Sequence, residues 1–378
     1  MTAAIEFATG HVSGTGSAGE PAGIGASLRP ELEAHEPPEV RGASRADVRL
    51  MVSRTAAGEI SHHAFAELPD LLLPGDLLVV NNSATLPAAV AVVVTPPSLA
   101  AAGPLTVHFS TALPDGHWLA ELRSGRGQAT VPFSGGDAGL TLGLAGGAVL
   151  TLTARFSQRL WRARLSTAVV PYLLRHGQPI RYSYVPRLWP IEAYQTVFAT
   201  WPGSAEMPSA ARPFTPEIVT RLVSRGVSIA PVTLHTGVSS LEGGEDPYPE
   251  SYDVPAPTAR LVNLTRHTGG RVIAAGTTVV RALESAALAG HGTGAAAQTG
   301  PAARPVVPAA GWTSHVVRRQ TGVSVVDGLL TGLHEPRSTH LWMLAAFTDD
   351  AMLRRCYAEA VERGYRWHEF GDVHLLLP

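Results

Sequence analysis

Apolar and polar positions along this chain follow two rhythms, and the change between them divides it. From Leu77 to about Leu165 the segments LLVV, AVAVVV, LTVHF, HWLAEL, ATVPF and VLTLTARF are short, β-branched and separated by Gly/Pro turns. That texture predicts a compact all-β module, a barrel or sandwich. From Val169 onward predicted strands alternate with helices. Thr215 caps a helix with Pro216 at its first position and Gly226 just past its end, the start and stop chemistry of a helix. SIAPVTLH (228–235) reads as a strand, PTARLVNLTRH (257–267) as a helix, RVIAAG (271–276) as a buried strand and VVRALESAALA (279–289) as a helix. Two more helices are predicted over 339–347 and 349–363. Such alternation predicts an α/β domain, with a mixed, largely parallel sheet and flanking helices, whose strand ends carry ligands. The expected organisation is a loosely packed arm over 1–28, an α/β catalytic domain over 29–76 and 166–378, an inserted β-barrel-like domain over 77–165 and a mobile Gly/Ala/Pro loop over 290–310.

Composition narrows the chemistry. With 378 residues, 45% of them hydrophobic, the chain can bury a sizeable core. A net charge of −2 gives no generic nucleic-acid or acidic-membrane signature. All 29 basic residues are arginine, which excludes a Schiff-base lysine, a lysine base and the lysine of a P-loop. The single cysteine, Cys356, excludes an intramolecular disulfide and any multi-cysteine metal site. It shares a helical stripe with Met352, Leu353, Tyr357, Ala360 and Val361, which predicts a small core residue. No basic leader precedes an apolar segment and no apolar run has membrane-spanning length, so a soluble cytoplasmic protein without a membrane partner is expected. Oligomeric state is left open.

Several motifs are eliminated on context. Gly14–Gly19 matches GxGxxG, but Pro21 and further glycines follow where a helix is required. HEPRSTH (334–340) and HEFGDVH (368–374) both read His-Glu-x4-His, a spacing that does not place both histidines on one helical face, so no metal site is expected. No GxSxG elbow is present.

Three stretches gather polar residues at element ends. In VVDGLLTGLHEPRSTH (325–340), His334, Arg337, Ser338 and Thr339 surround the start of the apolar helix LWMLAAF, and Asp327 opens the segment. Free amides and the helix dipole favour an anion there; an ordinary helix cap is the alternative. In GRVIAAGTTVVRALES (270–285), Gly276 permits close backbone approach, Thr277 and Thr278 supply hydroxyls, and Arg281 and Glu284 lie in the early turns. An intrahelical Arg–Glu pair is the alternative there. His235 ends a predicted strand, Glu250 sits in a proline-fixed loop, Tyr194 and Gln195 begin YQTVFA, and Arg366 and Asp372 flank a turn at Gly371.

Taken in order, LPDLLLPGDLLVVNN (68–82), YQTVFA (194–199), VTLHTG (232–237), GGRVIAAGTTVVRALES (269–285), VVDGLLTGLHEPRST (325–339) and YRWHEFGD (365–372) resemble the S-adenosylmethionine:tRNA ribosyltransferase-isomerase family of the queuosine pathway. The resemblance spans roughly Arg41 to Pro378. It implies an α/β domain carrying an inserted barrel-like domain. The implied enzyme is a transferase-isomerase that moves the ribosyl part of S-adenosylmethionine (SAM) to the aminomethyl group of a 7-deazaguanine base in tRNA, releasing adenine and methionine. SAM is then a substrate and no further cofactor is implied. The sulfonium acidifies the ribose C5′ hydrogens, so a positioned base can remove one. In a chain without lysine the base candidates are His235 and His334. Arg281 or Arg337 suits the methionine carboxylate and Glu250 or Glu284 the ammonium. Asp327 and Asp372 are candidates for the ribose hydroxyls, and Tyr194, Gln195, Thr277, Thr278, Ser338, Thr339 and Arg366 complete the implied SAM set. The chain departs from the family pattern at Ala84 and Ala89, where the family has arginines, at Pro213 and Tyr248, where it has histidines, and at Gly332 and Glu335. RRQT (318–321) replaces a tyrosine-rich element. Two missing arginines and the absence of lysine weaken affinity for tRNA. They keep open a SAM-using paralogue with a small-molecule acceptor, a SAM lyase and a non-catalytic SAM-binding protein.

Overall fold

The computed structural model describes residues 29–125, 130–238, 248–290, 304–335 and 340–378. The arm over 1–28, the glycine motif at 14–19, Arg337, Ser338, Thr339 and most of the 290–310 loop lie outside them. After 3-10 turns at Pro30–Leu32 and Pro38–Arg41 come β1 (Arg49–Arg54), β2 (Glu59–Ala64), α1 (Leu68–Leu71), β3 (Leu77–Asn81) and β4 (Ser83–Thr85). There follow β5 (Ala89–Val94), β6 (Leu105–Ala112), β7 (Trp118–Ser124), β8 (Val131–Pro132), β9 (Thr141–Leu144), β10 (Val149–Arg155) and β11 (Leu160–Leu165). Next come α2 (Val169–His176), β12 (Trp201–Ser204), α3 (Pro216–Ser224), β13 (Ser228–His235), β14 (Glu250–Val254) and α4 (Ala256–His267). The last elements are β15 (Val272–Ala275), α5 (Thr277–Ala289), β16 (Ala309–Thr313), β17 (Gly328–Gly332), α6 (His340–Leu344), α7 (Asp350–Glu362) and β18 (Val373–Leu377).

The large sheet has the order β16-β14-β13-β3-β15-β17-β18-β1-β2. Its centre is parallel: β13, β3, β15 and β17 pair in succession in that sense. The flanks are not. β16, β14 and β13 pair antiparallel, as do β17 with β18 and β1 with β2, while β18 and β1 are parallel. The sheet is mixed, as expected, but "largely parallel" holds only at its centre, since four of its eight strand pairings among the described residues are parallel. The reason lies in the connections: two successive helices, α6 and α7, return the chain to the edge that β17 left, so β18 must run back.

Side-chain alternation explains the layers. Leu77 and Val79 of β3, with Val272 and Ala274 of β15, pack into a core shared with α4, α5 and α7. Their neighbours Leu78, Val80, Ile273 and Ala275 pack on the other face with Leu68 of α1 and Ile218 and Leu222 of α3. A strand buried on both faces reads as a continuous apolar run. That is why LLVV, expected at the start of the small β module, is instead a central strand of the large sheet. The α3 signals act as read: the Thr215 side chain accepts from the Ile218 amide, and Gly226 has φ +84°.

The second β-system is an antiparallel ring, β5-β6-β7-β11-β10-β9, with β9 returning to β5 and the two-residue β8 appended to β7. Closing the ring leaves no unpaired edge within it. Its interior is apolar, built from residues such as Val107, Phe109, Leu122, Leu142, Leu150 and Leu160. Cys356 is fully buried beside Met352, Leu353, Tyr357 and Ala360. Among the described residues no helix is long and apolar enough to cross a membrane.

Two buried histidines make stability pH-dependent. Burial, with Arg123 adding to it, lowers His108 to about 3, and burial alone lowers His374 to about 3. Both pKa values are depressed on folding, so the unfolded chain takes up protons near pH 6.5 that the folded chain refuses. Their stabilising contribution is complete above 6.5 and is lost as pH falls from 6.5 toward about 3. Each histidine costs at most about 1.4 kcal/mol per pH unit in that window. Urea midpoints are expected to fall steadily with acidification. A His374→Gln variant should show a shallower decline, and an unchanged slope in that variant would remove His374 from this role.

Candidate active site

The carboxyl ends of the parallel strands open onto one cavity of about 430 Å³, within the range of a small-ligand site. Gly276 and Thr277 follow β15, Thr236 and Gly237 follow β13, and Thr331, Gly332 and His334 end or follow β17. Because β14 and β18 run the other way, their amino ends reach the same edge and bring in Glu250, His368 and Glu369. A ligand crevice at the strand ends of an α/β sheet is the expected place. The segment Pro179–Tyr184 and Tyr194 form a further wall. The barrel is tied to the rim, since Val238 N donates to Ser110 Oγ (3.0 Å) and the Tyr248 and Ser157 hydroxyls meet at 2.9 Å.

Asn81 sets the strand ends in place. It ends β3, accepts from the Leu234 amide (3.1 Å), and donates to the Leu234 carbonyl (2.8 Å) and Thr278 Oγ1 (3.2 Å), so one amide joins β3, β13 and α5. Gly276 precedes α5 with φ +105°, a conformation that glycine adopts without strain. Gly276, Thr277 and Thr278 line the cavity, which brings the positive end of the α5 dipole to bear on it.

Arg281 and Glu250 form a buried pair on this wall. The guanidinium also donates to the carbonyls of His315 (3.1 Å) and Thr313 (3.2 Å), and Glu250 accepts from the Gly237 amide (3.0 Å). Burial raises the Glu250 carboxyl above its usual range, and Arg281 opposes that rise. In the same cavity, the His334 ring stacks on His340 with centroids 3.9 Å apart, and Thr331 Oγ1 lies 3.3 Å from His334 Nε2. Burial, reinforced by His340 and His368, holds His334 well below the ordinary histidine value. His334 is therefore neutral at pH 7.

The structure brings together Tyr194, Glu250, Thr277, Thr278, Arg281 and His334 of the expected set. It places others elsewhere. His235 is not in the cavity lining; its Nδ1 meets Ser83 Oγ at 2.7 Å, and its ring lies so close to Gly203 that no Cβ would fit there. Gln195 exchanges hydrogen bonds with the backbone of Thr85 (3.0 and 2.8 Å). Glu284 accepts from the amides of Ser324, Val325 and Val326 and from the Ser324 hydroxyl, so it ties down a loop. Asp327 accepts from the Val272 amide (2.8 Å) at the start of β15, the end of the sheet away from the cavity. Asp372 accepts from Arg49 and from the Arg366 amide (2.8 Å), and Arg366 is exposed. A buried carboxylate such as Glu284 or Asp372 needs such donors wherever it sits, and a sequence motif cannot say whether backbone or ligand supplies them. Arg337, Ser338 and Thr339 lie outside the described residues.

The cavity also holds residues that sequence had not assigned to it. His340 and His368 line it, as do Tyr182, Tyr184, Glu206, His315 and Glu369. The two His-Glu-x4-His segments were a signal of a kind, since three of their four histidines reach the cavity. His374 instead lies in β18 against Ser53 (2.8 Å). Among the described residues no group of three or more His, Cys, Asp or Glu has an arrangement that could hold a metal ion.

The family model for queuosine biosynthesis proteins matches residues 27–376. The chain belongs to that family. A relative from Chlorobium luteolum, named S-adenosylmethionine:tRNA ribosyltransferase-isomerase, is 34% identical over 93% of this chain and 97% of its own length. A protein of the same name from an Anaeromyxobacter species is 36% identical over 92% of this chain and 96% of its own. The crystal structure of an S-adenosylmethionine tRNA ribosyltransferase from Thermotoga maritima aligns at 27% identity over 93% of this chain and 99% of that chain, with a TM-score of 0.49. Within this queuosine family member, the departures from the family pattern now have places. Gly332, Glu335 and Tyr248 all line the cavity, and a Cβ at Gly332 would meet nothing closer than 3.8 Å. Ala84 and Ala89 lie in β4 and β5, at the entry to the barrel.

Proposed function

We propose that this protein is a SAM-dependent ribosyltransferase-isomerase that transfers the ribosyl part of SAM to the 7-aminomethyl-7-deazaguanine base of tRNA. The observation that carries the reading is the cavity at the strand ends, which joins a buried Arg281–Glu250 pair and a helix N-terminus to a neutral histidine. Its membership of the queuosine family and the names of its relatives agree with this. SAM offers a carboxylate, an ammonium, a sulfonium and an acidic C5′–H. In this reading Arg281 and the start of α5 take the methionine carboxylate, with Glu250 at its ammonium. His334 removes the C5′ proton, a step that requires the acceptor form of the ring. Closure of the site by the barrel and the Pro179–Tyr184 segment keeps water from the reactive carbon. Phosphate contacts fall to arginine throughout, since the chain has no lysine. An RNA substrate of this kind places the reaction in the cytoplasm.

The test is release of adenine and methionine from SAM with and without tRNA carrying the aminomethyl base. Release that depends on the tRNA is expected. Release in its absence would instead support a SAM lyase or a small-molecule acceptor. Bound SAM with no release under either condition would leave only a binding protein.

A further inference from the structure

The cavity has two chemically distinct poles, and the reading above uses only one. Far from Arg281 in sequence, Tyr184 donates from its hydroxyl to Glu369 Oε2 (2.6 Å). The Tyr184 ring lies flat on His368, with centroids 3.9 Å apart and planes 9° apart, and continues to Tyr182 at 5.8 Å and 15°. Tyr182 in turn donates to Glu206. All five residues line the cavity.

Two further observations point to a ligand here. The Tyr194 side chain is 5% exposed and its buried hydroxyl has no hydrogen-bond partner, although the residue lines the cavity. His368 Nε2 is likewise buried without a hydrogen bond, its nearest acid being Glu33 at 3.9 Å. His368 also holds φ +72°, the only positive φ outside glycine among the described residues. Such conformations persist where surrounding structure enforces them, often at functional sites. Buried polar atoms left without partners are costly in a folded chain unless a bound group satisfies them.

The chemistry of the pole is that of a cation on a flat ring. Glu369 is an acceptor, and the stacked faces of Tyr182, Tyr184 and His368 present π-systems that attract cations and stack on heteroaromatic bases. The cationic neighbours on the protein side are Arg181, beside Tyr194, and Arg212, whose guanidinium is already held by both oxygens of Glu39 (3.0 Å each). SAM's own ammonium has Glu250 beside Arg281. The second amine of the reaction belongs to the acceptor base and is an ammonium at neutral pH. We propose that Tyr184, Tyr194, His368 and Glu369 form the subsite for that aminomethyl group, with Glu369 holding the ammonium and the aromatic stack facing the deazapurine. This rests on the ribosyltransferase reading and assigns its second substrate.

The test compares two tRNAs, one with 7-aminomethyl-7-deazaguanine and one with the uncharged 7-cyano base, bound at fixed salt. The wild-type protein is expected to favour the aminomethyl tRNA by about tenfold or more, the range of a charged hydrogen bond. Glu369→Gln should abolish that preference and raise the KM for aminomethyl tRNA by about tenfold, while calorimetry shows SAM affinity unchanged. Tyr184→Phe keeps the ring and loses the hydroxyl that orients Glu369, so a smaller loss of preference is expected; it also serves if the first variant does not fold. A Glu369→Gln protein that keeps full discrimination, or that loses SAM affinity instead, would overturn the subsite. A wild-type protein that releases no adenine with either tRNA would overturn the underlying reading, a distinguishable result.

Discussion

Replacing His334 with alanine should lower the rate of adenine release by about 10²–10⁴-fold, the usual contribution of a positioned general base, while SAM still binds. His334 and His235 were equal candidates in the sequence, and the structure separates them. His334 lines the cavity and stacks on His340, whereas His235 hydrogen-bonds Ser83 and is absent from the lining. His235→Ala should therefore cost less than about threefold in rate, because no proton transfer depends on it. The pH profile gives an independent readout. Burial holds His334 well below 6.5, so its acceptor form persists through the neutral range. The acid limb of kcat/KM should then lie well below 6.5, with no inflection at the ordinary histidine value. Stopped SAM turnover measured across pH for both variants decides the matter; a larger loss in His235→Ala would transfer the role to that residue.

Arg281→Met should remove SAM binding altogether and destabilise the fold by about 3–5 kcal/mol, the cost of breaking a buried ion pair from one side. The variant leaves Glu250 desolvated, with the Gly237 amide as its remaining donor of those described. It also strands the carbonyls of His315 and Thr313 that the guanidinium serves. The double variant Arg281→Met, Glu250→Leu should recover much of that stability, because two apolar side chains can replace a buried pair at little cost. It should not recover SAM affinity. Urea denaturation and calorimetry together separate the two effects. Full SAM binding by the double variant would exclude the pair from the site.

How far each feature was legible depends on the range of the contact that makes it. Helix ends were legible, because Thr215, Pro216 and Gly226 act within a few residues of themselves. Four of the six ring strands, β5, β6, β7 and β10, were legible for the same reason, since alternation and turn residues are local, whereas β9 and β11 were missed. LLVV at 77–80 was misplaced because an apolar run fits a strand buried on both faces of a sheet as well as one in a small barrel. Only its pairing with Val272–Ala275 and Ser228–Val232 decides between them. The sense of β18 was equally out of reach, since it depends on how two helices return the chain.

At the site, polar residues in a motif carry no label saying which donor will satisfy them. Glu284, Asp327 and Asp372 stand in the same motifs as Arg281 and His334, yet fold as acceptors for the chain's own backbone. His340, His368, Glu369, Tyr182 and Tyr184 were not assigned to a site because separate segments carry them to one cavity.

Sequence alone determined the alternation of strand and helix, the β module, the exclusion of lysine and multi-cysteine chemistry, and a family resemblance that comparison then bore out. These follow from residue types and from neighbours a few positions apart. Tertiary structure decided which acids and histidines line the cavity and which serve the chain's own backbone, and it set His334 in that lining and His235 outside it. Those depend on burial and on contacts between residues such as Tyr184 and Glu369, 185 positions apart, whose approach only the completed sheet brings about.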